Sequence, residues 1–131
     1  MKTIKDIYNW KLIDNPETTL LKHVNRVLMK TPNELDVSDV CMLLRQEMFL
    51  DIVIPKALKL IETESSIGDY YDYQMLVNLA DVSRKNLLQY RKELKKLVEF
   101  LSKEFPNTIF EIESDKTDYQ ASMTKIVEKI S

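Results

Sequence analysis

Residues 83–105, "SRKNLLQYRKELKKLVEFLSKEF", decide the fold class. Leu87, Leu88, Leu94, Leu97, Val98 and Leu101 recur at spacings of three and four, so they line one side of an α-helix and leave Lys and Glu on the other. Ser83 stands at the N-cap position and Pro106 ends the run, because proline cannot continue the hydrogen-bond ladder. This is the longest and most amphipathic helix that the chain can form.

The same period recurs on both sides of it. Upstream, Met75, Leu76, Leu79 and Val82 describe a short apolar helix that Asp72 can cap. Leu50, Ile54, Leu58 and Ile61 describe another, with Pro55 expected either to kink it or to sit in its first turn, and the chain is expected to bend near Phe49. Asp36 and Asp39 form an acidic variant of the capping box at the start of a helix near Val37. In "NPETTLLKHVNRVLMKTP", Asn15 is the expected N-cap and Pro16 the first helical residue, with Thr31-Pro32 as the stop. Downstream, Tyr119, Met123, Ile126, Val127 and Ile130 share one side of a final helix. Only "TIFEIE", within residues 108–113, reads as a short extended segment. The expectation is an all-α protein of five or six helices, with residues 1–131 as a single domain.

Composition narrows the function. One glycine cannot make a phosphate-cradling loop. His23 and Cys41 are the only residues of their types, too few for a zinc site and unaccompanied by the partners that nucleophilic catalysis needs. Asp69, Asp72 and Glu64 lack the spacing of a calcium loop. No catalytic residue, metal or cofactor is expected, so the chain reads as a binding protein rather than an enzyme. A single Cys41 between apolar neighbours, no apolar run long enough to span a bilayer, and a start, "MKTIKDIYNW", without an apolar centre lead to an expectation of a cytoplasmic protein.

Charge gives the functional lead. The net charge is only −2, yet residues 62–83 hold Glu62, Glu64, Asp69, Asp72 and Asp81 without any Lys or Arg, a block of −5. Residues 84–104 reverse the sign to +4. The acidic block contains the only glycine, Gly68, in "IGDYYDYQML" (67–76). Tyrosines there supply contact area and carboxylates recruit Arg and Lys. The same residues also have structural readings, with Gly68 serving a positive φ, Asp69 or Asp72 a helix cap, and two of the tyrosines the core. The alternative lead is a nucleic-acid-binding or regulatory module that uses the basic helix 84–104, although its lysines interleave with glutamates.

Residues 36–79, "DVSDVCMLLRQEMFLDIVIPKALKLIETESSIGDYYDYQMLVNL", resemble the immunity proteins of contact-dependent growth inhibition. That family's "VEDLRxxIxQ", "LxxLxPxALxxLE" and "GDYYxxDLL" are met in order by Asp39, Leu43, Leu44 and Gln46; by Leu50, Ile54, Pro55, Ala57, Leu58 and Glu62; and by Gly68, Asp69, Tyr70, Tyr71 and Leu76. The likeness covers roughly residues 3–80. It departs at Gln74 and Met75, where the family carries an acid, and at Glu47, Met48 and Phe49, which replace a smaller turn. The resemblance implies a small helical protein that binds and neutralises the C-terminal toxin domain of a sibling cell's effector, without catalysis or direct nucleic-acid contact. Many such toxins are nucleases with basic clefts, which fits the acidic block. The toxin-binding residues expected on these grounds are Glu47, Asp51, Glu62, Glu64, Asp69, Tyr71, Asp72 and Tyr73. Among them Glu47, Asp51 and Glu64 lie outside the shared pattern and are the better candidates for choosing a partner.

Overall fold

In the computed structural model, which describes residues 1–131, helix α1 (Ile4–Tyr8) starts at Thr3, whose Oγ1 accepts from the Asp6 N–H at 3.3 Å. It ends at Asn9 in the left-handed region, with the Asn9 N–H on the Asp6 carbonyl and the Trp10 N–H on the Lys5 carbonyl, the Schellman pattern that satisfies terminal carbonyls. This one-turn helix is not among those expected from the sequence. Helix α2 (Thr19–Leu28) is capped by Thr18 and not by Asn15, which instead has a φ of 49°. The Asn25 amide holds the preceding loop through both backbone groups of Ile13, at 2.8 and 2.9 Å.

Helix α3 (Val37–Gln46) starts as its sequence demands: the Asp39 N–H donates to Asp36 Oδ1 and the Asp36 N–H to Asp39 Oδ2, each at 2.9 Å. Asp39 also receives His23 Nε2 at 2.8 Å and Lys30 Nζ at 2.7 Å. Burial opposes its charge, but Lys30, the Asp36 N–H and His23 outweigh that and hold the carboxyl below the usual aspartate range. His23 therefore has a structural partner. Residues 1–39 and 40–131 form two compact units, with the boundary inside α3.

The second unit contains the rest of α3, α4 (Leu50–Thr63), α5 (Gln74–Ala80), α6 (Arg84–Leu87), α7 (Arg91–Glu104) and α8 (Glu113–Ile130). Left-handed residues Glu47 and Phe49 make the bend before α4, and Pro55 lies inside α4 with its ring exposed. The long amphipathic stretch tightens into a 3-10 turn at Leu88–Tyr90, which divides it into the four-residue α6 and the 14-residue α7; it is therefore not the longest helix, which is the 18-residue α8, nor the most amphipathic, which is α2. Pro106 falls in a closing 3-10 turn. Thr108 and Ile112 have extended backbone, yet no strand forms because no partner strand exists for them. The eight α-helical segments thus refine the expected five or six within an all-α fold.

Helix α8 packs on α5, α6 and α7, while α4 packs on α5 and α7. Leu94, Leu97 and Leu101 of α7 and Ile126 of α8 have no exposed surface, and each buried side chain of this size stabilises by about 1.5–3 kcal/mol. Lys129 of α8 donates to the Ala80 and Val82 carbonyls at 2.6 and 2.9 Å. A cation is thereby placed at the C-terminal end of α5, where the helix dipole favours it.

Candidate binding surface at the acidic turn

The turn between α4 and α5 is built around the side chain of Gln74. Gln74 is 3% exposed, and its Oε1 accepts from the Asp69 and Tyr70 N–H groups at 2.8 and 2.7 Å. The Tyr73 N–H reaches the Ser66 carbonyl at 2.8 Å and the Met75 N–H the Ile67 carbonyl at 3.2 Å. Gly68 is required by close approach and not by a positive φ, which it does not have. A Cβ there would lie 1.9 Å from the Tyr71 carbonyl oxygen and 2.9 Å from the Gln74 Cβ. Neither Asp69 nor Asp72 caps α5: the N-cap residue is Tyr73, in left-handed conformation with a φ of 66°.

With the backbone held this way, Asp69, Tyr70, Tyr71 and Asp72 face solvent, and Glu62 and Glu64 are exposed at the end of α4 that leads into the turn. Tyr70 is 81% and Tyr71 45% exposed. Tyr70, absent from the expected contact residues, is the most exposed aromatic side chain in the chain. Tyr73 requires a correction. It is 6% exposed and packs with Phe110 and Tyr119 at ring-centroid distances of 5.5 and 5.4 Å, so its ring belongs to the core. The Tyr119 hydroxyl in turn donates to the Leu101 carbonyl at 2.9 Å.

Glu47 and Asp51 are not brought to this turn. Glu62 lies eleven positions further along α4 than Asp51, about 16 Å at 1.5 Å per residue. Glu47 is exposed but occupied, since its Oε1 accepts from the Ser83 N–H at 3.0 Å and from Asn86 Nδ2 at 2.9 Å. Burial works against its charge, and the bonds from Asn86 and Ser83 outweigh this and lower its pKa. It therefore supports the start of α6, a role expected of Ser83. Asp81 is paired with Lys125 Nζ at 2.9 Å, which removes it from the unpaired acidic block.

Helix α8 supplies acid that the block as read did not include. Desolvation raises the Tyr71 hydroxyl pKa, with added repulsion from Asp118 and Asp81. Tyr73 is raised by desolvation and then by Asp115 and Asp72. These carboxylates belong to one electrostatic neighbourhood with the turn, and only the packing of α8 on α5 puts them there. The carboxylates do not assemble a metal site: no group of three or more His, Cys, Asp or Glu could hold an ion. Cys41 is buried, and desolvation pushes its thiol up to about 11. No helix is long and apolar enough to cross a membrane.

No curated protein matches the chain. A family model described as CDI immunity proteins matches residues 6–97, which takes in the acidic turn and reaches α7, past the roughly 3–80 over which the resemblance was read, and leaves α8 outside. The match spans well over half of the 131 residues: the chain belongs to the CDI immunity protein family.

Proposed function

We propose that this protein neutralises the toxin domain of its cognate CDI effector by binding it in the cytoplasm, without chemistry of its own, and that the contact surface is the exposed acidic turn with Glu62, Glu64, Asp69, Tyr70, Tyr71 and Asp72. Membership in the family carries this reading, because it supplies the class of partner. The exposed carboxylates and tyrosines support the choice of surface. A toxin that cleaves nucleic acid needs a basic cleft, and an acidic turn presented on a rigid scaffold imitates the charge that such a cleft attracts. The toxin is accordingly proposed to be a nuclease.

The test is coexpression with the cognate CDI toxin domain. A stable complex, restored growth and loss of nucleic-acid cleavage at equimolar chain support the proposal. Undiminished toxicity with no complex would refute it, and a salt-dependent shift of labelled nucleic acid by the chain alone would favour the basic helix instead.

A further inference from the structure

Asp115, in the first turn of α8, is 8% exposed, and no hydrogen bond or ion pair reaches its side chain. Buried carboxylates are ordinarily paired. An acid at this helix position commonly reaches back to the N-cap N–H, but α8 has no such side-chain cap. Asp115 instead lines a cavity of about 210 Å³ together with Asp72, Glu111, Tyr73, Phe110 and Ile109. Two further carboxylates, two aromatic rings and an isoleucine that is 90% exposed at the edge surround that space.

We propose that this cavity receives one arginine side chain of the partner protein, with the guanidinium between Asp115, Asp72 and Glu111 and against the rings of Tyr73 and Phe110. The proposal rests on the toxin-binding reading above and specifies the chemistry of its anchor. A guanidinium is planar, stacks on aromatic faces and offers several N–H donors to carboxylates at once. A metal ion fits less well, since these carboxylates do not converge as ligands. Desolvation first, and then repulsion from Asp72, Asp118 and Glu111, raises the Asp115 pKa, as expected of a site built for a positive charge that arrives from outside.

Asp115 also stands in the first turn of a helix, where the dipole alone could account for an acid. The two roles predict opposite changes in stability. A carboxylate kept for the dipole makes Asp115→Asn melt lower; an acid waiting for a cation makes it melt no lower than the parent at pH 7, because a carboxylate with no ion-pair partner has been removed from beside Asp72 and Glu111.

The experiment uses the full chain, Asp115→Asn and Glu111→Gln in three measurements: thermal melts, calorimetry against the toxin domain, and NMR titration with Nα-acetyl-arginine methylamide and its neutral citrulline analogue. The expected result is an undiminished melting temperature for Asp115→Asn with at least tenfold weaker toxin binding and a smaller loss for Glu111→Gln. The arginine probe should shift the Tyr73, Phe110 and Asp115 signals in the parent but not in Asp115→Asn, and the citrulline probe should not shift them. Equal shifts by both probes, or a lower melt with parental toxin affinity, would overturn the proposal. If the parent ignores the toxin while the arginine probe still titrates the cavity, the toxin-binding reading fails and the cavity assignment stands. If parent and variant bind the toxin alike and the probe finds no site, the reverse holds.

Discussion

Replacing Gly68 with alanine tests whether the turn is held by close packing. The added Cβ would sit 1.9 Å from the Tyr71 carbonyl oxygen, where ordinary contact begins at 3.4 Å, and 2.9 Å from the Gln74 Cβ. Relief requires a backbone displacement of about 1.5 Å, because neither neighbour is the free end of a flexible side chain. That movement breaks the geometry in which Gln74 Oε1 accepts from the Asp69 and Tyr70 N–H groups and strains the Tyr73 to Ser66 bond. Two to three bonds at about 1 kcal/mol each give a loss of roughly 2–3 kcal/mol. Urea unfolding should show this as a lower midpoint at unchanged slope, and the melting temperature should fall by roughly 6–15 °C. Tyr70→Ala, at an exposed site in the same turn, should change stability by less than about 0.5 kcal/mol. Parental stability of Gly68→Ala would show that the turn is loose and refute the claim that it presents its acids rigidly.

Asp39→Asn should destabilise by roughly 2–3 kcal/mol, since it weakens the bonds to His23, Lys30 and the Asp36 N–H together. The Asp39 pKa is lowered in the folded state, so its contribution is present above the unfolded value of about 3.9 and is lost as pH falls through the folded value; acid titrations of parent and variant should converge at low pH. Tyr119→Phe should cost about 1 kcal/mol for the bond to the Leu101 carbonyl, and Tyr119→Ala about 3–5 kcal/mol, as read by chemical denaturation. Cys41, with a thiol near 11, should stay unmodified by a thiol reagent at pH 8 in the folded protein and react at once in denaturant.

The parts of this structure that depend on neighbours in sequence were legible there. Asp36 and Asp39 lie three residues apart and cap one another because helix geometry fixes that spacing. The helices with an apolar stripe were found for the same reason. Asn15 failed as a cap because Thr18, three residues on, offers its hydroxyl to the Leu21 N–H instead. Tyr73 and Tyr70 carry the same side chain in one turn, and which of them points inward is decided by the Gln74 bonds and by Phe110 and Tyr119. Asp115 reads locally as an ordinary first-turn acid. Its burial beside Asp72 arises only when α8 closes on α5, and no short-range pattern carries that.

The most direct measurement is titration calorimetry of the purified toxin domain against three folded proteins: the parent, a variant with Glu62, Glu64, Asp69 and Asp72 all neutralised as amides, and a variant with Lys92, Lys95 and Lys96 removed. None of the four acids has a structural bond through its carboxylate, so the first variant should keep its helical spectrum and melt. Its toxin affinity should fall at least a hundredfold, roughly 2.7 kcal/mol or more, with a flatter salt dependence, while the lysine variant stays near the parent. Parental binding by the acid-neutralised protein together with loss of binding by the lysine variant would contradict the account and make the basic helix the working surface.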